Sequence, residues 1–389
     1  MNKRIGTYVI QKVQGESYRA YIPPKLPPNP PIELAALYPY LERATLALAE
    51  LNSLHKTIPN TALFMYMSVR KEALLSSQIE GTQSSFSDLI LFEHNQKPQV
   101  SIEDVEEVSH YVKAISYGLK RLKDEFPLSL RLLKEIHAIL LSGGRGAGKL
   151  PGEFRRSQNW IGGTRPGNAF FVPPPVDHLE DCLSDLERFL HDETMPILIK
   201  AGLAHVQFET IHPFLDGNGR LGRLLIALLL CANGMLDEPI LYLSLYLKKN
   251  RRTYYELLQE VRESGNWEAW LEFFLTGVYQ ASKQAIQTAQ QINDIFTKDL
   301  EKISRLGRAR FSCEHVLDYM KRLPQVTVPV LAKALKMAPP TARSALNHLT
   351  SLGVLQEVSG KKRDKIYVYR TYLNILEDGA EPFAIGEDS

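Results

Sequence analysis

Residues 211–230, IHPFLDGNGRLGRLLIALLL, set a reactive first half against an apolar second half. His212 is the one side chain there able to accept a proton near neutral pH. Arg220 and Arg223 are fixed cations whose planar forks match phosphate oxygens. Gly217 and Gly219 let backbone approach an oxygen closely, and Asn218 supplies a neutral donor. Asp216 is out of place beside an anion unless a cation stands between them, and Mg2+ on a polyphosphate is the usual one. Apolar residues at helical spacing on either side make the stretch a joint between two helices. The start of the second helix offers unpaired N–H groups and a partial positive charge, which suit anions. The set reads as a cradle for a metal-bound polyphosphate with a proton acceptor beside it. A second glycine-rich stretch, GGRGAGKL at 143–150, has half of a phosphate loop. Leu150 and Pro151 stand where a hydroxyl and a helix are needed, so it is read as a plain loop.

The string HPFLDGNGRLGR resembles, at every diagnostic position, the Fic-family signature H-x-F-x-[D/E]-G-N-G-R-x-x-R, and the resemblance extends over roughly residues 34–274. It implies a mainly α fold, a Fic-type helical core with a small β-hairpin flap. It also implies a nucleotidyltransferase that takes ATP with Mg2+ and passes AMP to a Ser, Thr or Tyr hydroxyl of a partner protein. Carried over, His212 is the base and Asp216 holds Mg2+ between the α- and β-phosphates. Asn218, Gly219 and Arg220 grip the α/β region, Arg223 reaches the γ-phosphate, and Gly217, Leu221 and Gly222 complete the nucleotide-binding loop. Phe214 pins the loop from the core. NAFFVPPP (168–175) resembles the family's flap, which would hold a target segment by strand addition. NRRTYYELL (250–258) resembles the helix beside the adenine pocket, with Tyr254 as the contact and Tyr255 in the core. Nothing in the loop excludes UTP or GTP as donor.

EALLSSQIEGTQSS (72–85) is an amphipathic helix end, with Ser76 and Glu80 four apart on one face and Gly81 as terminator. A carboxylate at that end opposes the helix dipole, so Glu80 is expected to have a cationic partner. The stretch also resembles the family's inhibitory signature [S/T]-x-x-x-E-[G/N], which implies that Glu80 pairs with Arg223 and blocks the γ-phosphate position. In some relatives the same glutamate aligns water for AMP removal, so brake and hydrolytic base both stay open.

The elements that must position these groups are helices over 34–54, 62–79, 102–122, 130–141, 179–190, 195–210, 219–233, 252–263 and 267–303. Between 142 and 175 loops hold two β-prone pieces, NWIGG and AFFVPP, read as a hairpin. The expected organisation is a helical region with the inhibitory helix (1–105), a catalytic core (106–290), a helical linker (291–309), a winged helix-turn-helix (310–376) and a loose acidic tail (377–389). In the winged unit PPTARSALNHLTSL would expose Thr341, Arg343, Ser344 and Asn347, and SGKKRDK would form a basic wing tip. Net charge is +2, yet residues 301–372 hold fourteen Lys/Arg against five Asp/Glu. That surplus leaves two partners open, DNA and protein, and with them a different class of function: a DNA-binding regulator with a sensory nucleotide site.

Three scattered cysteines, Cys182, Cys231 and Cys313, show no zinc or disulfide spacing. The opening residues lack the apolar core of a signal peptide, and the longest apolar run, 224–231, is too short for a membrane span. A cytoplasmic protein without membrane contact is expected, and family habit alone adds a homodimer.

Overall fold

The computed structural model describes residues 4–13, 15–57, 60–94, 97–361 and 364–383. The chain opens with an antiparallel hairpin, β1 (Thr7–Val13) and β2 (Glu16–Ile22), in the register Tyr8↔Tyr21. The region expected to be helical over residues 1–105 thus begins with strands. Strand alternation prevails because Tyr18 and Ala20 gain a face to bury against Val172 of the flap. Helices follow: α1 (Leu34–Thr57), α2 (Thr61–Ile79), α3 (Phe86–Glu93), α4 (Ile102–Lys123) and α5 (Leu130–Leu140). Ser85 and Asp88 form a reciprocal capping box at the start of α3. The expected hairpin in the following loops reduces to one bridge, Ile161↔Phe171.

The core continues with α6 (Val176–Leu190), α7 (Ile197–Ile211), α8 (Asn218–Ala232), α9 (Ser244–Lys249), α10 (Arg251–Ser264) and the 38-residue α11 (Trp267–Ser304). Every residue from 198 to 211 is buried, which makes α7 the central helix, packed by α6, α8 and α11. A helix apolar on all sides belongs there. Two of its polar side chains find carbonyl partners: Lys200 donates to Leu190 O and Gln207 to Pro24 O. Trp270 of α11 donates to Gly202 O, locking α11 to α7.

Beyond α11 come α12 (Arg310–Met320), β3 (Gln325–Thr327), α13 (Val328–Leu335), α14 (Pro339–Ser351), β4 (Gln356–Glu357), β5 (Ile366–Val368) and α15 (Arg370–Glu377). The sheet order is β3-β5-β4. Thr341, Arg343, Ser344 and Asn347 are exposed on α14, while Lys362 and Arg363 of the expected wing tip lie outside the described residues. This unit docks on the far half of α11, where Tyr369 donates to Asp299 and Tyr372 packs on Phe296. The tail expected to be loose is seated as far as Phe383: Ala380 is buried and its carbonyl accepts from Gln78. Residues 384–389 lie outside the described residues. The three cysteines are unpaired, and among the described residues no helix is long and apolar enough to cross a membrane.

Candidate functional site

The site is built at the joint between α7 and α8. His212 ends α7 in the left-handed region (φ +47), which turns the chain sharply. Its Nδ1 lies 3.4 Å from Glu209 O, so the imidazole donates there and leaves Nε2 as the acceptor on the cavity side. Burial, reinforced by the positive charges of Arg262 and Arg155, lowers its pKa to about 4, so the ring is neutral at physiological pH.

The turn is held from several directions. Arg155, almost fully buried, donates to His212 O at 3.0 Å and to Pro174 O at 2.5 Å. Asn159 donates to His212 O and Phe214 O. His137 stacks on Phe214 with centroids 3.7 Å apart; it accepts from Gly152 N–H at Nδ1 and donates from Nε2 to Asp216 O. Burial pushes its pKa down to about 4, which fits that neutral tautomer. Asn218 clasps both polar groups of Phe214, donating to its carbonyl and accepting from its N–H. Its side chain thus braces the turn with one donor and one acceptor. Phe214 is fully buried, as expected of a pin.

At the start of α8, Gly217 (φ +76) is the N-cap, and a Cβ there would sit 3.0 Å from Leu141. A cavity of about 330 Å³ opens beside it, lined by Glu80, Glu107, His212 and residues 215–220. Arg220 is 5% exposed, with Glu107 at 2.8 Å and Asp216 at 3.7 Å. Asp216 accepts from Gly217 N–H and keeps 40% of its side chain exposed. One exposed carboxylate beside a helix N-terminus fits Mg2+ that brings phosphate oxygens as its other ligands. Among the described residues no group of three or more metal-ligating side chains is present. Leu221 is fully buried and Gly222 faces Glu209, so neither lines the cavity.

Glu80 follows the last turn of α2, and Gly81 after it is left-handed (φ +93). Glu80 Oε1 lies 2.5 Å from an Arg223 Nη, and Arg223 also donates to Ser76 Oγ at 2.8 Å and Ser76 O at 2.9 Å. The guanidinium is 2% exposed. Desolvation opposes ionisation of Glu80, but Arg223, Arg220 and His212 together hold its carboxyl below the usual range. A Cβ on Gly219 would lie 2.2 Å from Glu80 Oε1, so the carboxylate rests directly on the first turn of α8. Glu80 occupies the place at the helix N-terminus that an anionic ligand would take.

Tyr255, expected in the core, is the more exposed of the pair. Tyr254 is buried and its hydroxyl donates to His205 Nε2, whose Nδ1 donates to Gly222 O. Tyr255 is 39% exposed, and its hydroxyl, pushed to about 12 by burial, feels Glu80 and Arg223. On α10 the register puts the second tyrosine of the pair, not the first, outward.

The sequence reading passed over Glu107, His137, Arg155, Asn159, Glu209 and Arg262. Arg262 donates to Thr210 and lies 4.0 Å over the Phe171 ring, joining the flap to α7. Glu209 is buried, and no partner for its Oε1 is found among the described residues. Burial raises its pKa to about 7, with Glu80 adding to the rise and Arg223 and Arg262 opposing it. A charged residue inside an otherwise apolar helix was the available signal for Glu209. The others come from segments with no spacing relation to the motif.

The Fic/DOC family N-terminal model matches residues 38–120, and the Fic/DOC family model matches residues 127–230. The chain is 32% identical over 166 residues to protein adenylyltransferase Fic of Drosophila yakuba, covering 42% of this chain and 30% of that one. It is 33% identical over 115 residues to a probable protein adenylyltransferase of Aquifex aeolicus, covering 29% and 32%. The chain thus spans about 30% of the length of the curated relatives it matches. A crystal structure of a Fic family protein from Desulfovibrio desulfuricans superposes with a TM-score of 0.55 at 20% identity, covering 85% of this chain and 95% of that one. That likeness concerns the fold alone.

Proposed function

We propose that the protein, whose residues 38–120 and 127–230 match the Fic/DOC family models, is an AMP transferase restrained by its own Glu80. The observation behind this reading is the convergence of His212, Asp216, Arg220 and the α8 N-terminus on one cavity, with Glu80 on Arg223. ATP would lay its phosphates along the first turn of α8, where the backbone N–H groups and Arg220 bind them. Asp216 would hold Mg2+, whose chemistry is to neutralise charge on the phosphates. His212 Nε2 accepts the proton of a target Ser, Thr or Tyr hydroxyl as that oxygen attacks the α-phosphorus. The α–β phosphoanhydride bond breaks, pyrophosphate leaves, and the imidazolium returns its proton to solvent. Arg223 serves the γ-phosphate only after Glu80 has left it.

The test is mass spectrometry of protein incubated with ATP and Mg2+. Glu80→Gly should gain an adduct of about 329 Da, the mass that AMP adds in such a transfer. Wild type should gain far less, and adding His212→Ala to Glu80→Gly should abolish labelling. Equal labelling with and without Glu80 would remove the brake; labelling that survives His212→Ala would remove the base.

A second reading rests on the Glu80 carboxylate lining the same cavity as His212. There it could align water for removal of AMP from a modified protein, and Glu80→Gly would then lose hydrolysis while gaining transfer. For the C-terminal unit we infer duplex DNA as partner. The exposed Arg343 on α14 and Lys365 before β5 line one groove with Pro339 and Tyr367, and the surrounding segment has a basic surplus.

A further inference from the structure

Glu107 sits on α4, far in sequence from the motif, and is nearly buried. We propose that Glu107 is a positioning residue that orients Arg220 for the phosphates and ties that arginine to the segment leaving Glu80. The inference rests on the AMP-transfer reading and adds a residue to it. Glu107 Oε1 lies 2.8 Å from Arg220 Nη1 and also accepts from Thr82 Oγ1, two residues past Glu80. Arg220 is buried yet lines the cavity, with Nη1 fixed by Glu107 and Nη2 3.7 Å from Asp216, so Glu107 holds one arm of the fork while the other lies toward Asp216. A carboxylate behind a guanidinium sets its plane before the ligand arrives, as outer partners orient metal ligands. A purely structural ion pair would also sit here, so the test must separate grip from folding.

The variant is Glu107→Gln in the Glu80→Gly background, with ATP·Mg2+ kinetics, ATP·Mg2+ calorimetry and thermal melts run together. The expected result is KM for ATP raised about tenfold with kcat within about twofold, the size of one lost hydrogen bond to a charged group. Glu107→Asp, which keeps the charge, should recover part of the change. An unchanged KM, or a loss of kcat with KM constant, overturns the proposal. If Glu80→Gly is itself inactive, the AMP-transfer reading falls. Calorimetry then decides for Glu107, with equal ATP·Mg2+ affinity in both forms counting against it.

A separate set of contacts concerns the chain after α15. The geometry points to residues 378–383 as a strap that fastens the inhibitory helix. Gln78, fully buried two residues before Glu80, donates to Ala380 O at 2.8 Å and to Ser84 O at 2.9 Å and accepts from Lys248 at 2.7 Å. Lys248 also donates to Glu381 O, and Phe383 lies against Lys248 and Arg251. Ser87, just beyond the brake, donates to Glu377. The segment thus links α2, the corner of α9 and α10, and the C-terminal unit, so that moving the unit would loosen the last turn that presents Ser76 and Glu80.

Deleting residues 379–389 from the full chain should raise AMP labelling at least about fivefold in wild type and leave Glu80→Gly unchanged, since a released brake cannot be released again. Gln78→Met, which keeps the volume, should act in the same direction. Hydrogen exchange of residues 74–80 should accelerate in both. Unchanged labelling beside an active Glu80→Gly, or unchanged exchange, overturns the strap. An inactive Glu80→Gly with accelerated exchange would sink the transfer reading and keep the strap.

Discussion

His212 is held neutral by burial and by two nearby arginines, with its free nitrogen on the cavity. A base with a pKa of about 4 is fully deprotonated above pH 5. In the Glu80→Gly variant, where one anion that raises this pKa is gone, kcat/KM should stay flat from pH 8 down to about 5 as far as this base is concerned. An acid limb centred near 6.5 would mean that the imidazole is solvated and unperturbed. Glu209 makes the opposite statement. Its folded pKa of about 7 exceeds the ordinary 4.5, so between these values the folded chain keeps a proton that the unfolded chain releases. Stability therefore falls as pH rises through that window, by up to about 3 kcal/mol. Thermal melts should show this fall in wild type and a flatter profile in Glu209→Gln; identical slopes would place Glu209 in contact with water.

At the scale of elements, the proposed brake is the contact between the end of α2 and the first turns of α8. Ser76 and Glu80 are one helical turn apart, so a single face meets Arg223 with a hydroxyl, a carbonyl and a carboxylate. Ser76→Ala removes one hydrogen bond to a charged group, worth about 1.5 kcal/mol, and keeps the other two. Basal AMP labelling should therefore rise by up to about tenfold, below the level of Glu80→Gly. A level equal to that of Glu80→Gly would mean that the hydroxyl, not the carboxylate, holds the arginine. The α7–α8 turn is braced differently, by the Arg155, Asn159 and His137 side chains on its carbonyls.

Across the whole molecule, α11 carries the C-terminal unit, and the strap returns from that unit to α2. If duplex DNA is the partner, binding by the full chain should weaken linearly in log Kd against log salt, by about 0.9 per phosphate neutralised. Arg343→Ala should flatten that slope by roughly one contact, read by fluorescence anisotropy on mixed-sequence DNA. A slope near zero would assign the surface to a protein partner. Adding the same DNA to an AMP-labelling reaction would show whether the strap transmits its binding.

The sequence by itself determined which groups meet at the α7–α8 joint, because HPFLDGNGRLGR places a histidine, a carboxylate, glycines and arginines within twelve consecutive residues. It likewise determined the helical majority and the pairing of Ser76 with Glu80 on one face, since they lie one turn apart in a single helix. Only the tertiary structure decided which of Tyr254 and Tyr255 is buried, that Asn218 spends its side chain on Phe214, and that the opening residues form a hairpin against the flap. It alone brought Glu107, Arg155 and Glu209 to the site and seated the tail on Gln78. Local spacing records what one turn of chain can do. The orientation of a helix and the partner of a buried charge are settled by packing between segments hundreds of residues apart.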